Sequence, residues 1–536
     1  MIFDFMEETG ITLSYQTAGF IVFFAVVLAL CCLMRAQVVR KLVLLLANGF
    51  FYYAMGGFGA LELVLLTSAA VYTGSALMGI VYVRFERASA GLDKKEKRRR
   101  LTPYKKRARG ILFATLAVIL AIFVYVKAGG FLHFSPVDSL SSLTPGHVLA
   151  PLGISYYTFS CIGYLADVYW RKVPFEKNGF DLLIAILYFP IIVEGPISNY
   201  GRLLSQLKKL PAPNYRTVCF GLQRMIWGFF KKLVVADRLT QFTTPVFASV
   251  GDYAGAEMVI AVLFNALAIY ADFSGCMDIV IGASQALGIE LEENFRQPFF
   301  SRTAAEFWRR WHITLGAWFR DYVYMPLAMG PYFRKRAAEV RKKRGTAAAQ
   351  LAQGAVPLLI VWICTGLWHG TGTDYLVWGL YWGSLMIAGM AFQGTADRIN
   401  QALHVDPDSF SHRLFQMIRT FLIFCGGRML TATGEPGGFF LILHQVFSES
   451  RLNVLFDGSL YSHGLEQKDW YVAIVGIVAM WVVDMLHERK IRIREVIASQ
   501  PLILRWAVYI GSILFVLVYG IYGASYSATA FAYGAF

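Results

Sequence analysis

Apolar runs of about 20 residues, the length an α-helix needs to cross a bilayer, recur from end to end of the chain with short polar or basic loops between them. The pattern predicts an all-α polytopic membrane protein with about 10 to 12 spanning helices. Arg35, Arg40 and Lys41 follow the first run, the stretch DKKEKRRRLTPYKKRAR from Asp93 to Arg109 follows the third, and Arg171 and Lys172 follow the fifth. These basic loops alternate with the uncharged turn MGGFGA and the polar loop FLHFSPVDSLSSLTPGH. Because basic loops stay on the cytoplasmic side, odd-numbered helices are expected to end in the cytoplasm. Arg334 to Arg344 and Arg489 to Arg494 mark later cytoplasmic returns, and the run from Trp506 to Tyr522 then places the C-terminus outside. The N-terminal segment carries Asp4, Glu7 and Glu8 without Lys or Arg, the reverse of a signal peptide's basic start, so the first helix is expected to stay attached with the N-terminus outside.

The middle of the chain does not divide into clean spans. Between Asp181 and Arg238, and between Gly288 and Pro331, apolar pieces are interrupted by Pro190, Pro196, Pro298, Pro326 and clustered charges. Broken backbone survives at membrane depth only where protein or a water-filled cavity covers it, so a core of broken and re-entrant helices is expected inside the spanning ones. In LQRMIWGFFKKLVVADR, Arg224, Lys231 and Arg238 recur at seven-residue spacing opposite Ile226, Phe229 and Leu233. That spacing predicts an interfacial helix lying on the cytoplasmic surface. No internal repeat at a fixed period is evident, and residues 1–536 read as a single membrane-embedded domain without a separate soluble one.

Composition narrows the partners. Hydrophobic residues make up 57% of the chain, so its +15 net charge, concentrated in loops beside apolar runs, orients helices and meets anionic lipid rather than nucleic acid. Cys31, Cys32, Cys161, Cys219, Cys276, Cys364 and Cys425 lie mostly in apolar stretches without paired spacing, which supports neither a disulfide framework nor a metal site.

Two polar clusters stand out. Phe307 to Leu327, FWRRWHITLGAWFRDYVYMPL, holds three Trp, three Arg, a His and an Asp in a lipid-adapted chain, and ionisable groups at membrane depth mark a site. Thr365 to Asp374, TGLWHGTGTD, puts His369 at the end of an apolar run that begins near Pro357. Twelve residues of helix rise about 18 Å, which would set this imidazole near mid-bilayer if the helix stands upright. The plainer alternatives are a His369 bonded to a helix carbonyl and a His312 that ties a re-entrant segment together. The chemistry that suits both clusters is acyl transfer, since a neutral imidazole can take a proton from a hydroxyl as its oxygen attacks a thioester. No Ser nucleophile elbow, Walker-type loop or dinucleotide fingerprint is present. His369 and Asp374 also reproduce a His-x-x-x-x-Asp spacing, which a Gly-rich turn explains as coincidence. A transporter would show paired broken helices in two related halves, and a binding scaffold for an extracytoplasmic polymerase would need neither His.

The runs NFRQPFFSRTAAEFWRRWHITLGAWFRDYVYMPL, CTGLWHGTGTDYLVWGLYWG, PLGISYYTFSCIGYLADVYWRK, EGPISNYGRL and FKKLVVADRL resemble the membrane-bound O-acyltransferase family, closely over about Pro151 to Leu385. FWRRWH and YMPL are similar to its alginate-acetylating branch, with a D-alanine-exporting branch as the alternative; AMGPYFRKR after YMPL departs from the Gly-Gly-Asn-Arg type of alginate homologues and leaves the polymer open. The resemblance implies a ring of helices around a tunnel, with His369 as the principal and His312 as the second active-site histidine. It also implies an acyl donor, acetyl-CoA or a carrier-protein phosphopantetheine thioester, reached from the cytoplasm, and no permanently bound cofactor. The acceptor is an extracytoplasmic polysaccharide, with an SGNH-type protein as outer partner, in a bacterial cell membrane. Trp308, Arg309, Arg310, Trp311, Asp321 and Trp368 are candidates for donor or substrate contacts, with Asn294 and Glu194 as weaker ones that brace broken helices. The terminal FAYGAF resembles the family's C-terminal signature and offers Tyr533 as an acyl relay or acceptor guide, against a plain aromatic anchor.

Overall fold

The computed structural model of the chain describes residues 13–132, 153–370, 372–435 and 437–522. Tyr533, the acidic N-terminal segment and most of the FLHFSPVDSLSSLTPGH loop lie outside the described residues. The rest is helix and loop, with no strand among the described residues.

Seven described helices are long and apolar enough to cross a membrane. They are α1 (Gln37–Ala88), α2 (Lys94–Leu132), α3 (Ala256–Ala286), α4 (Pro331–His369), α5 (Thr373–Ala402), α6 (Gln467–Glu488) and α7 (Leu502–Tyr519). Two apolar helices, Ala18–Leu33 and Gly438–Ser448, are shorter. α1 breaks at Gly57, where φ is 73° and ψ is −174°, inside the MGGFGA stretch that the sequence marks as a turn. A Cβ at Gly57 would meet nothing, so glycine is needed there for its backbone angles alone. α4 breaks in the same way at Gly345, at the end of its basic run. The two broken regions follow the sequence reading. The first holds Gly179–Leu187, Phe189–Ile192, Tyr200–Lys208 and Tyr215–Phe229, and the second holds Ala304–Arg310, Ile313–Phe319 and Met325–Ala328.

The chain divides into two compact units, one built from residues up to Met225 together with Met277–Glu292, the other from Ile226–Cys276 and from Glu293 onward. In the first, Gly74 lets α1 seat Thr115 of α2, and several buried polar groups find partners across the unit. Lys41 Nζ lies 2.8 Å from Asp181 Oδ1, Asn48 Oδ1 accepts from Phe189 N at 3.0 Å, and Arg40 Nη2 donates to Leu210 O at 2.9 Å. Arg40 is therefore a buried cap for carbonyls and not the solvated loop cation its sequence position suggested.

In the second unit α4 and α5 form an antiparallel hairpin. Its backbones meet because glycines face each other's main chain. A Cβ on Gly379 would stand 2.5 Å from the Trp362 carbonyl oxygen, and one on Gly366 would collide with the Tyr375 carbonyl. Gly379→Ala is accordingly expected to cost about 1–3 kcal/mol through forced separation of the helices, read as a lower melting temperature of the purified protein.

The stretch from Phe230 to Ala236 corrects the interfacial-helix reading. It is π-helical, Lys231 and Arg238 are buried, and Leu233 on the expected apolar face is partly exposed. The seven-residue spacing presumed unbroken α-helical twist, and a π turn rotates the side chains out of that register. The cations are satisfied inside protein. Arg238 Nε lies 3.0 Å from Asp469 Oδ1, Lys231 Nζ is 2.8 Å from Ser274 Oγ, and Lys232 Nζ lies between Asp272 Oδ1 at 2.7 Å and Asp237 Oδ1 at 3.0 Å.

Candidate active site

His369 is the last residue of α4, at the tip of the hairpin. The helix after the Gly345 break runs through Pro357, so the twelve-residue count that set His369 near mid-depth starts inside the helix. The glycine-to-backbone approach of the two helices brings α5 onto the imidazole. His369 is buried, with its ring centroid 4.6 Å from Trp368 and 5.0 Å from Trp378. Trp362, Trp378 and Trp382 of the hairpin surround Trp308 at 4.7, 5.7 and 5.0 Å. Trp308 thus inserts the FWRRWH segment into the hairpin, and Trp368 lies 6.0 Å from the His312 ring. The two imidazoles are near enough to interact electrostatically.

His312 owes its position to a broken backbone. The helix Ala304–Arg310 starts at Thr303, whose hydroxyl accepts from Glu306 N at 3.1 Å. It ends at Trp311, and His312 takes the left-handed conformation, φ 45° and ψ 51°, before the next helix starts at Ile313. A non-glycine residue there is strained by about 1–2 kcal/mol and persists only where its surroundings hold it. Asn294, fully buried, does the holding. Its Oδ1 accepts from Thr314 N at 3.0 Å and Thr314 Oγ1 at 2.7 Å and faces His312 Nδ1 at 3.3 Å, while its main-chain oxygen accepts from Ile313 N at 3.0 Å. A backbone N–H can only donate, so the amide oxygen must face this group. The His312 Nδ1 that shares it must then be a donor too, which leaves Nε2 with the lone pair in the neutral ring.

The remaining wall of His312 is the edge of Phe273, with ring centroids 4.8 Å apart. Phe273 of α3 is flanked by Asp272 and Ser274, the residues that hold Lys232 and Lys231. The π-helical segment thereby fixes both neighbours of the residue packed on the imidazole. Trp311 completes the cluster against Phe295, Tyr270 and Phe424, and Tyr270 Oη donates to Asp484 Oδ2 at 2.7 Å.

Residues 183–340 match the sequence model of the membrane-bound O-acyltransferase family. That stretch of the chain is similar to membrane-bound O-acyltransferases. A probable alginate O-acetylase of Azotobacter vinelandii is 31% identical over 325 residues, 58% of this chain and 57% of that protein. A peptidoglycan O-acetyltransferase of Helicobacter pylori is 29% identical over 263 residues, 44% of this chain and 47% of that protein. A teichoic acid D-alanyltransferase of Bacillus subtilis is 27% identical over 289 residues, 53% of this chain and 69% of that protein. The chain spans about half the length of the alginate O-acetylases it matches. The seven apolar helices and this family match make it a multi-pass membrane protein. Asn294, Trp308, Trp311 and His312 fall inside the region matched by the family model, and His369 lies beyond it.

Not every charged candidate joins the ring cluster around the two histidines. Arg309 is exposed. Arg310 is clamped between Glu306 at 2.7 Å and Glu488, to which its Nη1 and Nη2 run at 2.7 and 3.1 Å. Asp321 is partly exposed and pairs with its neighbour Arg320 at 2.8 Å. Glu194 is buried in the first unit. The bidentate fork therefore belongs to Arg310. Arg310→Lys is expected to lower stability by about 1 kcal/mol while Arg309→Lys is neutral, a contrast that paired melting curves would reveal.

Four residues at the site were not singled out from the sequence. Phe273, Trp378 and Trp382 read as ordinary apolar helix residues, although a Trp pair four apart after a membrane histidine was a usable signal. Arg428 ends an apolar run, and its guanidinium is aimed by Asn265 Oδ1 at 3.0 Å and Thr431 Oγ1 at 3.3 Å and interacts electrostatically with His369 and Tyr375.

Proposed function

We propose that the chain is an O-acyltransferase that takes an acyl group, acetyl in the first reading, from a cytoplasmic thioester donor and passes it to a hydroxyl of an extracytoplasmic polysaccharide. The observation that carries this is the pair of buried imidazoles inside one tryptophan cage, with a fixed guanidinium that acts electrostatically on one of them. Acetyl-CoA or a carrier-bound phosphopantetheine thioester is the donor in this reading, and the basic loops greet its phosphates. The N- and C-termini face outward, an SGNH-type protein completes delivery, and the enzyme resides in a bacterial cell membrane. The two units act as one membrane-embedded acyltransferase domain.

In the proposed step His369 takes the proton of the acceptor hydroxyl as its oxygen forms a bond to the thioester carbonyl carbon. The C–S bond then breaks, the thiolate leaves, and the proton held by His369 returns to sulfur. Arg428 supplies fixed positive charge where the carbonyl oxygen becomes anionic, the kind of preorganised stabilisation that dominates many active sites. His312, with Nε2 as acceptor, orients the donor or the hydroxyl, and Trp308, Trp311 and Trp368 line the reacting groups. Arg309, Arg310 and Asp321 belong to the donor approach, and Tyr533 guides the acceptor or relays the acyl group. D-Alanyl transfer to teichoic acid is the second reading, favoured by the larger fraction of the Bacillus subtilis D-alanyltransferase that the match covers.

The test is thioester hydrolysis by the purified protein together with polymer acylation in cells. Asn294→Asp keeps an acceptor for His312 Nδ1 and should retain most activity, whereas Asn294→Leu should lose about tenfold or more of turnover. Equal activity of the two variants would remove His312 orientation from the mechanism, and absence of thioester cleavage by the unaltered protein would remove acyl transfer altogether. Supplying labelled acetyl or D-alanyl donor separates the two readings.

A further inference from the structure

A cavity of about 280 Å³ opens in the first unit, lined by Tyr82, Leu101, Lys105, Tyr169, Trp170 and Arg171. It lies where three helices meet: the end of α1, the end of Ile154–Tyr169 and the basic first turns of α2. Its aromatic walls are held in place. Tyr82 Oη donates to the Tyr169 carbonyl at 2.6 Å, and Arg171 pairs with Glu86 while its guanidinium lies 5.5 Å from the Tyr82 ring centre.

Lys105 is the residue this arrangement does not explain. α2 packs through a stripe at spacings of three and four, in which Ala108, Leu112, Thr115 and Ile119 are all buried. Towards the N-terminus Tyr104 continues that stripe against Phe85, and Lys105 stands beside it, exposed at the cavity wall with Leu101 one turn before it. Its described contact is the Tyr169 ring, 5.7 Å away. Glu86 is matched by Arg171, so the cavity keeps the charge of Lys105 as an excess. The segment from Asp93 to Arg109 adds a field of ten basic residues against two acidic ones.

From this juxtaposition we infer that the cavity binds the phosphate of an anionic glycerophospholipid, with Lys105 as its cation and Tyr82, Tyr169 and Trp170 around the headgroup. A free phosphate ester shares the headgroup chemistry, and the neighbouring surface favours the lipid. Leu77, Ile80 and Val83 are exposed on the turns of α1 around Tyr82, and Phe113 is exposed two turns beyond Lys105. They belong to the apolar lengths of two membrane-crossing helices, so the cavity stands at the end of a surface that acyl chains cover and a soluble ligand would not use. The inference is independent of the acyl-transfer reading.

The experiment uses the full chain purified in detergent and titrated with phosphatidylglycerol, phosphatidylcholine or soluble glycerol 3-phosphate, with melting temperature and native mass spectrometry as readouts. Phosphatidylglycerol should raise the melting temperature and remain bound, Lys105→Gln should require about fivefold more of it, and Lys105→Arg should behave as the unaltered protein. An identical response of Lys105→Gln and the unaltered protein overturns the site, and an equal gain from phosphatidylcholine overturns its selectivity for anions. If glycerol 3-phosphate reproduces the gain with the same dependence on Lys105, the lipid is overturned and a soluble phosphate ester takes its place.

Discussion

His369→Ala is expected to reduce polymer acylation by about 100- to 10,000-fold, the usual cost of losing a positioned general base, while the protein still inserts and folds. The imidazole is buried between Trp368 and Trp378 at the tip of a glycine-packed hairpin, so its orientation is imposed from both sides. Alanine leaves that cage standing, because the hairpin is held by Gly366, Gly379 and Trp382 and not by the histidine. Thioester cleavage and melting temperature should therefore part company, with chemistry lost and stability largely kept. A variant that acylates the polymer at the normal level would show that His369 is a structural histidine. His312→Ala should be less uniform in effect, since it removes a ring that Asn294 aims and also relieves a strained left-handed residue.

Lys232→Met is expected to destabilise the protein by about 3–5 kcal/mol, because it removes the ammonium from between two buried carboxylates. Lys232 is 1% exposed, and Asp237 and Asp272 are 2% and 7% exposed, so water cannot readily take the place of the missing cation. Replacing all three by Met and Leu should recover much of the loss, since an apolar core of similar volume is often as stable as a buried ion group. Melting of the single and triple variants in detergent checks this, and equal stability of Lys232→Met and the unaltered protein would refute it. Turnover reports a second consequence. Asp272 precedes Phe273, which packs on His312, so the triple variant should be stable yet slower wherever the lysines position that ring.

Much of the candidate site was readable because its residues carry their own anomaly. A tryptophan, arginine and histidine cluster in a lipid-adapted chain is costly unless it is buried by protein, and both histidine motifs, Asn294 and the neighbouring tryptophans do meet in one cage. The charged members were harder. Arg309, Arg310 and Asp321 sit beside the histidine in sequence, but helix geometry turns neighbouring side chains about 100° apart, and their partners prove to be solvent, Glu306, Glu488 and Arg320. Phe273 and Arg428 had no local signal, because Phe273 gains meaning only from its packing on His312 and Arg428 only from its electrostatic interaction with His369, each far along the chain.

The sequence by itself determined that this is an all-helical membrane chain with breaks at MGGFGA and in two proline-interrupted regions, since hydropathy, glycine backbone freedom and proline's missing donor are local properties. It also determined which two segments bear the histidines. Only the tertiary structure decided that KKLVVADR turns inward, that Arg40 caps buried carbonyls, and that Asn294 sets the His312 tautomer. Those outcomes depend on which distant carboxylate, carbonyl or amide comes within about 3 Å, and a buried charge takes whichever partner the packing offers.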